Sequence, residues 1–415
     1  MRNVFDQCHQ PENRLTHGLA VCLYEDRVLL RRFLNWIGVK PPVRAHNLTV
    51  VEQRLPGDAP ESEEEAEQKG LPDIVIHDGE AWCLLIESKV QAALTHDQLA
   101  RHERTLGRRG FEEVYRLALT KDGAEVDQRT IALTWSRLYE WLGTSSEKNG
   151  WSERLRSYLR IAEVRLVHDE YLSEGTLTMF DGFPFSSENP YTYGEAKRLL
   201  KLAMGELRKD TSLKTLGMDP NAPGRGAITG RRGDSVWDFL SLVDRPKRGV
   251  FTSYPHLTLA VHSDHLHVAI TVPHGVIRRV RSRLVDLETQ GLVALNAKIL
   301  GRARRLVARR ASVQAYAVQR HWVGQRSPEI TDARMDFKLE TSQPGRVGPV
   351  KRQSEWVTLF AELLRRKRSN IQFAYVISLP WGTKGIASRD SLRLIAESWL
   401  AMKPLLDVVR GTSKS

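Results

Sequence analysis

The 415-residue sequence predicts an α/β core, a mixed sheet flanked by helices, followed by a basic α+β domain. Three observations lead there. Apolar periodicity at the start of the chain reads as an α-β-β-β-α-β order. Asp78-Gly79 sits between two apolar runs, a strong hairpin signal. Charge also changes sign along the chain. Residues 1–180 carry 23 Lys and Arg against 29 Asp and Glu, a net −6, whereas residues 181–415 carry 39 against 21, a net +18.

In ENRLTHGLAVCLYEDRVLLRRFLNWIG, Leu15, Leu19, Cys22 and Leu23 fall at helical spacing and predict one helix over 11–37. A strand over 48–54 follows, then the hairpin LPDIVIHDGEAWCLLIESK at 71–89. The segment between them, PGDAPESEEEAEQKG, is rich in Pro, Gly and Glu and reads as a solvated loop ahead of Asp73. A helix over 93–109, strands over 114–120 and 130–133, and helices near 135–142 and 150–162 complete the first domain. Aromatic, Pro and Ser residues interrupt the periodicity at 179–197. This places the domains at 1–165 and 196–415 with a linker at 166–195. Phe185, Tyr191 and Tyr193 in that stretch either stack on bases or pack the joint.

Helix resumes over 196–208, and 219–235 reads as a flexible loop carrying Arg225, Arg231 and Arg232. It lacks the preceding strand, lysine and glycine spacing of a nucleotide cradle. Beyond residue 250, strands are expected at 256–263, 265–273, 312–323, 333–341 and 371–381. Helices are expected at 275–288, 295–310, 352–368 and 388–403. Three clusters on these helices are candidates for contact with a sugar-phosphate backbone: Arg278, Arg279 and Arg281; Arg302, Arg305 and Arg309; Arg365 and Arg366. His265 and His267 share a strand face and could ligate zinc or be ordinary strand histidines. Asp264 is expected on the opposite face. His256-Leu257-Thr258 is half of a paired HxT signature, and no second half is present.

Pro72-Asp73, thirteen residues, then Glu87-Ser88-Lys89 is the motif that carries chemistry. The hairpin folds Asp73 back beside Glu87, and strand alternation puts Glu87 and Lys89 on one face. Phosphodiester hydrolysis uses a hard cation held by one or two carboxylates, and Mg²⁺ suits that donor set. A lysine beside carboxylates stays protonated, so Lys89 is suited to positioning water and stabilising phosphoryl charge. The competing reading is a surface hairpin on which Glu87 and Lys89 form a solvated ion pair.

At these residues the chain resembles the PD-(D/E)xK nuclease superfamily, over roughly its first third. The resemblance implies a restriction-endonuclease-like core in which Asp73, Glu87 and the Ser88 backbone carbonyl bind Mg²⁺, with Mn²⁺ able to replace it. It also implies that Glu12, at the start of the first helix, is an outer metal ligand, and that Gln98, on the helix after Lys89, orients the lysine or the scissile phosphate. Some relatives carry tyrosine four residues after the glutamine. This chain has His102 there.

A hydrophobic content of 41% and mean hydropathy of −0.39 are those of a soluble globular protein, and no segment approaches membrane-spanning length. Cys8, Cys22 and Cys83 have no CxxC spacing and read as reduced thiols of a cytoplasmic protein. The expected function is therefore a Mg²⁺-dependent endonuclease acting on nucleic acid, with DNA favoured, in anti-phage defence or restriction. The expected partners are nucleic acid and either a second copy of the chain or a defence-system protein, with no membrane. The alternative is a nucleic-acid-binding or sensing subunit of nuclease-like fold, silent without a partner.

Overall fold

Asp26 breaks the first predicted helix in two, giving α1 (Pro11–Glu25) and α2 (Arg27–Trp36). Its backbone is extended and its carboxylate accepts the Leu29 amide at 2.9 Å, so it caps α2. Periodicity continues across the break, which is why the sequence reads as one helix. The structure is a computed structural model. It describes residues 10–57, 71–90, 94–144, 150–168, 176–222, 224–225, 235–245, 251–323, 329–343, 346–349, 354–365 and 371–412. Cys8, Arg231, Arg232, Arg366 and most of the acidic loop lie outside these residues. The chain divides into two compact units, Met1–Met179 and Phe180–Ser415.

Unit 1 continues with β1 (Thr49–Glu52), β2 (Ile74–His77), β3 (Trp82–Lys89), α3 (His96–Arg108), β4 (Glu113–Thr120) and β5 (Thr130–Thr134). Helices α4 (Trp135–Leu142) and α5 (Trp151–His168) follow, α5 running further than its predicted end. The strands form one sheet in the order β1-β2-β3-β4-β5. β1, β2 and β3 pair antiparallel, and β3, β4 and β5 pair parallel. The sheet is therefore mixed, with α3 as the crossover between two parallel strands. At the β2–β3 turn, Asp78 Oδ1 accepts the amides of Glu80 (2.8 Å) and Trp82 (3.1 Å), while Gly79 takes φ of 88°. Alternation then divides the side chains. Ile74, Ile76, Leu84 and Ile86 join the apolar residues of α1, α2, α4 and α5, while Val75, Cys83 and Leu85 pack with Leu99 and Leu106 of α3. Helices thus cover both faces, an α/β arrangement.

Unit 2 opens with a segment expected as linker, yet Phe180, Phe183 and Phe185 are buried in its core. Phe185 packs on Tyr191 and Trp381, so packing accounts for these aromatics. Helix α6 (Tyr193–Lys209) precedes β6 (Ser235–Leu240), a strand the loop reading missed. Then come β7 (His256–His262), β8 (His265–Val272), α7 (Arg278–Val285) and α8 (Glu288–Val307). After them lie β9 (Ser312–Trp322), β10 (Glu329–Lys338), β11 (Glu340–Gln343), β12 (Arg346–Pro349), α9 (Ser354–Arg365), β13 (Ile371–Pro380), α10 (Asp390–Ala401) and α11 (Lys403–Arg410). Six strands form an antiparallel sheet in the order β10-β9-β13-β8-β7-β6. Leu257, Leu259, Leu266, Val268 and Ile377 face the helices, while Ala269, Tyr316, Val318, Ala374 and Val376 form a small cluster on the other side. No helix among the described residues is long and apolar enough to cross a membrane.

Candidate active site

β2 begins at Ile74, opposite Ile86 of β3, so Asp73 stands just before the ladder starts. Its carbonyl accepts the Gln53 amide at 3.1 Å on the β1 side. Its carboxylate reaches the other way, and Oδ2 accepts the Ser88 amide at 2.7 Å. The hairpin thus brings Asp73 against the Glu87-Ser88-Lys89 segment.

Glu87 is only 1% exposed. Its Oε1 receives two donors: Nε2 of Gln98 from α3, and Nζ of Lys89 at 2.9 Å. Thr95 caps α3 by accepting the Gln98 amide at 3.3 Å, which fixes the helix start from which Gln98 reaches β3. One turn further on, Nε2 of His102 faces Glu87 Oε2 at 3.6 Å, too long for a hydrogen bond. Both of those atoms are buried and have no hydrogen-bond partner among the described residues. An ion pair on a solvated hairpin does not describe this site, because Glu87 and His102 are both buried.

From α1, Oε1 of Glu12 accepts the Val90 amide at 2.6 Å, directly after Lys89. Thr16, one turn along α1, hydrogen-bonds its hydroxyl to that of Ser88. Sequence reasoning missed Glu52 at the end of β1, whose Oε2 lies 2.7 Å from Nδ1 of His17 and whose charge acts on Asp73. Finding it requires knowing that β1 pairs with β2. His102 carried a usable signal, since spacing of four places it on the Gln98 face of α3.

Burial dominates the electrostatics. It raises the Asp73 carboxyl, against the opposing effects of Lys89 and the Ser88 amide. It lifts Glu87 to about 8, helped by the Asp73 charge and opposed by Lys89. Glu12 is also raised by burial, with Lys89 and the Val90 amide working the other way. For Lys89, burial opposes the ammonium, but Glu87 and Asp73 outweigh it and hold its pKa above the usual value. Burial, with Arg101 and Lys89 nearby, lowers His102 to about 4, so its imidazole is neutral at pH 7. The Glu52 hydrogen bond raises His17.

A hard divalent cation fits this donor set. Glu87 Oε2 is a buried carboxylate oxygen without a hydrogen-bond partner among the described residues, and a buried acceptor left so is costly. Carboxylate oxygens are the ligands Mg²⁺ takes, and the set contains no thiolate.

In unit 2, Arg278, Arg281 and Arg365 converge with His274 and Asp286 on a cavity of about 340 Å³. Nε of Arg281 also donates to the Leu364 carbonyl at 3.3 Å, and Arg365 pairs with Glu362 at 2.8 Å. Arg279, Arg305 and Arg309 are exposed on their helices or just beyond them. Arg302 is tied to the Leu400 carbonyl at 3.3 Å. Three of the eight arginines therefore share one cavity, and Arg366 lies outside the described residues.

Compared with protein-family models and with curated proteins, the chain matches none.

Proposed function

We propose that unit 1 is a metal-dependent endonuclease of the PD-(D/E)xK kind, hydrolysing phosphodiester bonds in nucleic acid, with DNA the favoured substrate. The observation that carries this reading is the burial of Asp73 and Glu87 side by side at one end of a mixed sheet, with Lys89 and Gln98 both on Glu87. A purely structural hairpin gains nothing from sinking two carboxyls whose charged forms are disfavoured there. A setting in restriction or anti-phage defence rests on the family resemblance alone.

Asp73, Glu87 and the Ser88 carbonyl would hold Mg²⁺ or Mn²⁺. When bound, the cation supplies a Lewis acid for the phosphoryl oxygens and makes water a better nucleophile. Lys89 stays protonated; it orients the attacking water and stabilises charge on the phosphoryl group in flight. Gln98 fixes the Glu87 carboxylate through Oε1, which leaves Oε2 for the cation. Glu12 anchors the strand beyond Lys89 through the Val90 amide and presents its second oxygen as an outer ligand. Docking of the polyanion falls to unit 2, where the positive charge lies.

The Lys89–Glu87 ion pair favours a second reading, a nuclease-like subunit silent until a partner or effector frees the two groups. A cleavage assay on plasmid, linear duplex, single-stranded DNA and RNA separates the two. It is run with Mg²⁺, Mn²⁺ or EDTA, beside Lys89→Ala and Asp73→Asn. Metal-dependent cutting lost in both variants supports the enzyme. A wild type that binds nucleic acid in a salt-sensitive way without cutting it transfers the case to the silent subunit.

A further inference from the structure

Unit 2 carries a second constellation, made of none of the residues of the carboxylate site. β7 and β8 are joined by the two-residue turn Ser263-Asp264, so His262 and His265 flank the turn. His267, opposite Ala260, lies two residues further along the same face. The ring centroids of His262 and His265 are 4.6 Å apart, those of His262 and His267 5.5 Å, and those of His265 and His267 6.2 Å. One ring nitrogen from each lies within 4.8 Å of the others.

The sequence suggested only the His265/His267 pair, with Asp264 facing away. Asp264 belongs to the turn, where strand alternation does not apply, and its Oδ1 lies 2.7 Å from Nδ1 of His265. A carboxylate on one imidazole nitrogen fixes the tautomer and leaves the other as a ligand, a common outer-shell arrangement in metal sites. The turn is itself clamped. Trp381 donates its indole N–H to the Ser263 carbonyl at 2.9 Å and its amide to the Asp264 carbonyl at 3.2 Å. Arg320 and Arg334 act on His267 as neighbouring cations, and Asp336 offsets Arg334 with hydrogen bonds of 2.7 and 2.8 Å.

We infer that His262, His265 and His267 form a three-imidazole site for a divalent transition-metal ion of the zinc class. Three imidazoles select zinc, cobalt, nickel or copper over magnesium. At zinc–nitrogen bonds of about 2.0 Å, tetrahedral ligands stand about 3.3 Å apart. Side-chain rotation on the clamped hairpin closes the gap, tilting the His262 and His265 rings out of their stack. Three ligands also leave a fourth position open to water or to a bound group.

The test is a Co²⁺ titration of the full chain carrying Asp73→Asn, which weakens the carboxylate centre. Expected is a single equivalent with the intense visible bands of four-coordinate cobalt, displaced by Zn²⁺, which also raises the melting temperature. His265→Gln and His267→Gln weaken binding by about 100-fold or more while leaving the metal-free circular dichroism unchanged. Asp264→Asn weakens it by about tenfold, as outer-shell changes do. Absence of such bands, or bands that survive both histidine substitutions, overturns the inference. It stands or falls independently of nuclease activity, which the titration does not read.

Discussion

Oδ2 of Asp73 accepts the amide of Ser88 at 2.7 Å. The residue just before β2 thereby satisfies a β3 amide beyond the reach of the β2 ladder, and the two groups are buried together. A proposed metal ligand is thus also a structural acceptor, and substitutions at Asp73 must be chosen with both roles in mind.

Asp73→Ala strands a buried amide, and its cost is about 1–3 kcal/mol of stability, the usual penalty for a buried donor without its acceptor. Asp73→Asn retains an acceptor oxygen and keeps the metal-free fold. Denaturant melts in EDTA check this: a midpoint shift in Ala but not in Asn is expected. Equal shifts would mean that the Ser88 hydrogen bond contributes nothing.

Lys89→Met separates chemistry from metal binding. The proposed role places Lys89 on the reacting phosphate, so cleavage falls by about 100- to 1,000-fold. Removing the ammonium takes away the 2.9 Å ion pair that competes for Glu87 and also the charge that holds its pKa down. Cation binding is therefore compared at a pH where Glu87 is ionised in both proteins, and is not weakened there. Calorimetric titration with Mn²⁺ beside the cleavage assay reads both numbers. Weaker Mn²⁺ binding in the variant would contradict the assignment.

Glu87 sets a pH dependence. Its folded pKa, about 8, lies above its ordinary value of 4.5, so the folded chain binds the proton more tightly than the unfolded chain. The resulting stability is present below 4.5 and is lost as pH rises through about 8. Asp73 and Glu12 are shifted upward too and add slope of the same sign. Urea midpoints in EDTA should therefore fall between about pH 5 and about pH 9, less steeply in Glu87→Gln. Cation affinity moves the other way, rising by up to about tenfold per unit until Glu87 is ionised. Identical pH slopes in wild type and Glu87→Gln would refute the shift.

Gly182→Ala tests the docking of residues 180–185 within unit 2. Gly182 has φ of +123°, and a Cβ there would stand 2.3 Å from the Ser388 amide nitrogen and 2.4 Å from the Ala387 carbonyl carbon. Both obstacles are backbone, so a loss of about 1–3 kcal/mol or more is expected. An unchanged melting temperature would show that this segment is not held against 386–388.

Much of the carboxylate site was legible in the sequence because its key pairing is local. Asp78-Gly79 sets the hairpin, the hairpin register sets Asp73 beside Glu87, and Gln98 follows on the next helix. What escaped depends on distant partners. Glu52 and His17 reach the site only because β1 pairs with β2 and α1 packs nearby. Asp26 was hidden by apolar spacing that persists through the break, although Asp is a strong cap. β6 was masked by the Gly- and Arg-rich run before it, and Asp264 by applying strand alternation to a turn.

Three carboxyls of unit 1 are held above their ordinary pKa values by burial, around a lysine that keeps its proton. With Glu87 raised to about 8 and Lys89 keeping its proton, the Glu87 carboxyl adds little negative charge to the proposed centre at neutral pH before a cation arrives. On the proposed reading, a cation that takes Glu87 as a ligand must displace its proton. The protons released on metal entry make loading of the centre measurable in unbuffered solution, without any substrate at all.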